Sequence, residues 1–243
     1  MSWQLGSFSD LVLRAQQGED YDVVARERHA VVTVLALHGG HIEPLTGQLA
    51  EAIAGESWNL YTVRGLRADR AATLRLPTLR LTEVRCDALL AHSTLALAIT
   101  GHREGQTTLV GGSNEPLTLA LLAELSGLGL QVAAAPRLEA ERLPQQCYNR
   151  TGAGGAQLSL PLALRQGLVL DDLRALAPDD QPAWSAEGTA FIAAVQRAVE
   201  QRLLALRSDL SATLAHFERV TREVHARGIL SDHRQHRIES SDT

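Results

Sequence analysis

The chain has 243 residues, enough for one α/β domain with its own core and an appendage. Hydrophobic residues make up 45% and charged residues 21%, ordinary for a soluble globular protein, and the formal net charge of -5 argues against a general nucleic-acid or membrane-surface role. No apolar stretch is long enough to span a bilayer. The segment Met1-Ser2-Trp3-Gln4-Leu5 lacks the basic and apolar regions of a secretory signal. The two cysteines, Cys86 and Cys147, lie far apart in sequence, which suits a reducing compartment, although one bridge stays compatible with them. A cytoplasmic location is therefore expected. Every basic side chain apart from histidine is arginine, which removes lysine as a Schiff-base or general-base candidate.

Ser7-Phe8-Ser9-Asp10 reads as a helix start and Tyr21 to Val24 as a short strand. Val31 to Leu37 is an apolar, partly β-branched run without charge, the pattern of a buried strand. Pro44 to Ala54 carries Leu45, Leu49 and Ile53 at spacing four and ends at Gly55, which predicts a helix. Strands follow at Trp58 to Val63, Leu95 to Thr100, Thr107 to Val110, Leu130 to Ala134 and Ala156 to Leu160, with helices at Glu83 to Ala91 and Pro116 to Leu125. The alternation predicts an α/β fold: a mixed, mostly parallel sheet with helices on both faces over residues 1–180. From 189 to 227 no glycine or proline interrupts the chain, and Leu203, Leu206, Leu210, Leu214 and Phe217 recur at helical spacing. A C-terminal helical extension is expected over 181–228, as one long helix or an antiparallel pair broken near Ser208. It could dock on the sheet or form a homodimer surface. The polar residues 229–243 are expected to be disordered.

Chemistry concentrates at strand ends. His38-Gly39-Gly40-His41-Ile42-Glu43 directly follows the first confident strand, and Thr100-Gly101-His102-Arg103-Glu104 follows another. Ligands of open α/β sheets bind beyond the carboxyl ends of the strands. Imidazole and carboxylate are ligand types that zinc prefers, so His38, Glu43 and His102 are metal-ligand candidates with water in the fourth position. His41 is a substitute ligand or a supporting group. The bland alternatives are surface histidines at glycine-ended strands and, for Glu43, a carboxylate stabilised by the dipole of the next helix. His29, His92, His216 and His225 lie away from these turns and read as structural or solvated. A third stretch, Asn149-Arg150 through the glycine-rich Thr151 to Gln157, offers a planar guanidinium for a carboxylate and an amide donor beside it. It lacks the Lys-Ser/Thr ending of a phosphate-binding loop, and Gly111-Gly112 reads as a strand end.

As an ordered set, Leu37-His38-Gly39-Gly40-His41-Ile42-Glu43-Pro44-Leu45-Thr46, the Tyr61 to Gly65 strand end, Thr100-Gly101-His102-Arg103 with Val110-Gly111-Gly112, and Asn149-Arg150 to Gln157-Leu158 resemble the phage-type poly-γ-glutamate hydrolase family, a branch of the zinc carboxypeptidase-like fold. The resemblance spans roughly residues 20–167. It implies a zinc held by His38, Glu43 and a later histidine, hydrolysis of γ-linked glutamyl amides, an arginine (Arg150, with Asn149) gripping a substrate carboxylate, and a glutamate after the Gln-Leu pair activating water. Two departures stand out. The residue before Gly101 is Thr100, with the histidine two positions later at His102, and the position of the expected glutamate is Ser159. Serine cannot act as a carboxylate base, and a general base contributes a factor of about 10²–10⁴. Glu104 and His41 are the candidates to replace it. Two readings follow: a zinc-dependent γ-glutamyl hydrolase, or a degenerate relative that binds a carboxylate ligand or a protein partner without turnover.

Overall fold

The computed structural model of the chain describes residues 5–79, 81–136 and 138–226. By contacts it divides into a unit ending at Val199 and a second beginning at Glu200. The first unit is built on a seven-stranded mixed sheet of order β1-β3-β2-β4-β7-β5-β6. Its strands are β1 (Tyr21–Arg26), β2 (Val32–Gly40), β3 (Asn59–Gly65), β4 (Leu95–His102), β5 (Thr108–Gly112), β6 (Val132–Ala134) and β7 (Gly155–Pro161). The neighbours β3, β2, β4 and β7 run parallel; β1 on β3 and β5 on β7 are antiparallel. This is the mixed, mostly parallel sheet expected from the alternation of elements.

Every residue of β2 is buried, as is all of β4 up to Gly101. Central parallel strands are covered on both faces, which explains their unbroken apolar runs. One cover consists of α1 (Phe8–Arg14), α3 (Val84–Ala91) and the Cys147–Asn149 3-10 turn. Leu11, Leu35, Leu37, Tyr61, Val63, Ala98 and Tyr148 meet in that layer. The intervening β2 and β4 residues, Val34 and Leu97 among them, are equally buried and face the opposite way by the period-two rule. There α2 (Thr46–Ala54) packs on β2, β3 and β4, and α4 (Glu115–Gly127) packs on β5, β6 and β7. Two short helices, α5 (Leu138–Glu141) and α6 (Leu162–Gly167), went unforeseen because each is too brief to show a period.

The C-terminal region is one helix, α7 (Ala186–Ala226), with no break at Ser208. Ser185 Oγ accepts from Gly188 N at 3.0 Å and opens it. Phe191, Ala194, Val195, Ala198 and Val199 are fully buried within the first unit. By contacts the boundary between the units falls inside this helix, at Val199. In the second unit α7 continues from Glu200 with most side chains exposed. The tail expectation for 229–243 lies outside the described residues. Among the described residues no helix is long and apolar enough to cross a membrane.

Candidate active site

Strand β2 ends in the turn that carries the first cluster. His38 O accepts from Glu43 N at 2.8 Å, and Thr46 Oγ1 donates to the same oxygen at 3.2 Å and to Glu43 O at 2.8 Å. Gly40 has φ +63°, and a Cβ there would stand 2.4 Å from Gly65 O. Only glycine lets β2 turn this close to the end of β3. The turn so built brings His38 and Glu43 together in the interior, with His38 Nδ1 3.1 Å from Glu43 Oε1.

His38 Nε2 lies 2.7 Å from Leu76 O. A carbonyl can only accept, so Nε2 carries a proton, and Nδ1 is the ring nitrogen that faces the Glu43 carboxylate. Nδ1 is buried and has no aligned hydrogen bond. Backbone bonding of the far ring nitrogen is the arrangement found behind metal-binding histidines. In this pair the donors suit a cation.

The rest of the set does not. A catalytic zinc takes three protein ligands, and among the described residues no group of three His, Cys, Asp or Glu side chains is assembled. His102, expected as the third ligand, ends β4 and folds its Nδ1 back onto Glu104 O at 2.8 Å. β4 stays paired with β7 through His102 opposite Pro161, two residues beyond the expected strand end, so Gly101 is a strand residue, and His102 Nε2 is buried without a hydrogen-bond partner. Glu104 is exposed in the loop beyond. His41 is half-buried, with its backbone N–H on Gly65 O.

Glu43 has other partners. Arg75 Nη2 donates to Oε1 in a close ion pair, and the Gly101 amide donates to Oε2 at 2.6 Å. Burial pushes the Glu43 carboxyl up, but His38, Arg75 and the Gly101 amide together outweigh it and hold the group below the usual glutamate range. A second guanidinium, Arg165, is 2% exposed and lies against Gly101, where a Cβ would come within 2.7 Å of its Cζ. It donates to Pro44 O at 2.5 Å and His102 O at 3.2 Å. Burial lowers its proton affinity, and the negative Glu43 opposes that. Arg75 thus pairs with the carboxylate that a metal would need, and the buried Arg165 charge acts on it from beside Gly101. Sequence reasoning missed both, because an arginine outside a motif looks like a solvated surface cation. The signal for Arg165 was its neighbourhood, Leu162 to Leu168, which is short and apolar.

The two departures stand side by side. Thr100 and Ser159 are register partners across β4 and β7. The Thr100 hydroxyl is used on Leu158 O at 3.3 Å. Ser159 is half-buried and, with Gln157, Gly111 and Glu141, lines a cavity of about 260 Å³. Glu141, also missed, accepts there from Tyr148 Oη in a short bond and from Gln157 Nε2 at 3.2 Å. Burial, then the Glu141 carboxylate, pushes the Tyr148 phenol up.

Arg150 and Asn149 are committed to the protein itself. Arg150 Nη1 pairs with Asp87 at 2.7 Å and Nη2 bonds Leu81 O. Asn149 accepts from Ser113 N at 3.0 Å and donates to Glu141 O at 2.6 Å and Leu143 O at 3.0 Å, so it braces the end of α5, which carries Glu141.

The fold is that of an α/β protein of the type seen in solved poly-γ-glutamate hydrolases. A bacteriophage poly-gamma-glutamate hydrolase superposes with a TM-score of 0.76 at 21% identity, covering 83% of this chain and 98% of that one. A zinc-free structure of YndL gives 0.72 at 21% identity, covering 81% and 96%. The family's sequence signature, poly-gamma-glutamate hydrolase, matches residues 5–178, and the chain belongs to that family. Two Bacillus subtilis (strain 168) proteins are similar to it: the UPF0714 protein YndL, 29% identical over 111 residues, and the SPbeta prophage-derived UPF0714 protein YoqZ, 29% identical over 110. Each match takes in 45% of this chain, and the chain spans 44% and 40% of the two relatives.

Proposed function

We propose that this chain is a family member that keeps the pocket but binds a carboxylate-bearing ligand, such as a γ-glutamyl peptide, without hydrolysing it. The observation that carries the reading is the state of Glu43: its two oxygens are taken by Arg75 and the Gly101 amide. Thr100 and Ser159, adjacent on the sheet, supply neither a third ligand nor a base. Arg75 is the natural anchor for ligand, since its side chain is 55% exposed while one nitrogen holds Glu43. A guanidinium can serve two carboxylates through separate edges. Calorimetry with γ-glutamyl oligomers tests this directly. The expected result is saturable binding, lost in Arg75→Ala, with no cleavage at any zinc concentration; release of shorter oligomers by the purified chain overturns it.

A second reading, a zinc-dependent hydrolase of γ-glutamyl amides, is favoured by one observation. The Nε2–Leu76 bond leaves His38 Nδ1 facing Glu43 Oε1. For that reading Arg75 has to leave Glu43 and a further donor has to enter. Metal content after incubation with one equivalent of zinc and gel filtration separates the two readings. Retention near one zinc per chain supports the hydrolase, and none supports the binder.

A further inference from the structure

We infer that the second unit is an antiparallel homodimerisation helix. From Glu200 to Ala226, α7 continues for roughly 40 Å at 1.5 Å per residue. Leu203, Leu206, Leu210, Phe217, Val220 and Val224 recur at alternating steps of three and four, with Thr213 filling the one remaining position. That 3.5-residue repeat over three heptads is a coiled-coil seam. Phe217 is 69% exposed, Leu210 61% and Val220 40%, while Leu203, Leu206 and Val224 are half-buried. Most helical stability in proteins comes from packing an amphipathic face rather than from propensity, and a continuous apolar stripe marks an interaction surface.

A second copy of the chain fits this stripe in one orientation. Laid antiparallel, Leu203 faces Val220 of the second copy, Leu206 faces Phe217, and Leu210 faces Thr213. Two-fold symmetry repeats each layer, giving six. Large residues then meet smaller ones at both ends, and Leu210 covers the polar Thr213 at the centre. The flanking positions follow from the same register. Asp209 meets His216 of the second copy and Arg202 meets Glu223, again twice each. Leu214, 55% exposed, lies beside Arg207 of the second copy, whose aliphatic stem covers it. A parallel pair would instead set Arg202 against Arg207 and Asp209 against Leu214, with no opposite charges matched. The charge pattern is therefore self-complementary only antiparallel, and the contact is isologous, closing at two copies.

Light scattering of the full chain after gel filtration is expected to give the mass of two chains. Phe217→Glu is expected to give one chain with the same thermal unfolding of the first unit, because Phe217 is exposed and lies outside that unit. A monomeric wild type, or a dimer unaffected by Phe217→Glu, overturns the proposal. Orientation is read by cross-linking, undisturbed by the native thiols because Cys86 and Cys147 are buried. Leu206→Cys mixed with Phe217→Cys is expected to form a disulfide-linked pair, whereas Leu206→Cys alone is not. Linkage of Leu206→Cys to itself shows a parallel pair and overturns the register.

Discussion

Glu43 shows how far one residue's environment can be read from neighbouring types and how far it cannot. Its place after a buried strand was legible, and the turn that buries it follows from Gly39-Gly40 and Thr46. Its partners were not, because Arg75 and the Gly101 amide reach it from 32 and 58 positions away with no shared pattern. The depressed carboxyl has a definite pH signature. A group whose folded pKa lies below its unfolded value stabilises the fold above the unfolded value, and that contribution fades as pH falls from the ordinary glutamate range toward the folded pKa. Melting temperature in acid should therefore fall more gently in Glu43→Gln, which starts less stable at pH 7 but has no charge there to lose. Parallel curves for the two proteins would remove Glu43 from the acid transition. Gly40→Ala tests the turn. A positive φ and a 2.4 Å clash with Gly65 O predict a loss above ~1 kcal/mol in urea unfolding.

At the level of elements, periodicity revealed what is long and the sheet's register decided what is functional. The strands of the sheet and α2, α3, α4 and α7 were each visible as apolar runs or spacings, because burial on one or two faces writes itself into sequence. The end of β4 was not. Thr100-Gly101 looked like a stop, yet pairing with β7 extends the strand to His102. The same limit applies to α7, whose helical sequence runs uninterrupted across Val199 although burial does not. Two truncations measure that difference. Phe191→Ala removes a fully buried ring and should cost ~3–5 kcal/mol, while Leu204→Ala, at a 64% exposed site, should stay within ~0.5 kcal/mol. Equal effects would mean that the first unit reaches further along the helix.

For the whole molecule, family membership and local chemistry point in different directions, and the sheet explains how both hold. A fold can persist while its site changes, since the core that specifies it lies in β2, β4 and the helices rather than in the polar strand ends. The two departures and the two arginines lie at those ends. If Thr100 occupies the place of the lost ligand, Thr100→His should raise zinc retention over wild type, measured by metal analysis after gel filtration. Unchanged retention would assign the loss to Arg75 and Arg165 instead.

The bond from the Gly101 amide to Glu43 has a consequence for assembly in time. It ties together two residues 58 apart in sequence, across neighbouring parallel strands. Contacts of such separation form only after the intervening chain has been closed into a loop, which slows their appearance. The His38–Glu43 corner is thus a late product of folding, and a probe placed on His38 would report completion of the central sheet rather than its nucleation.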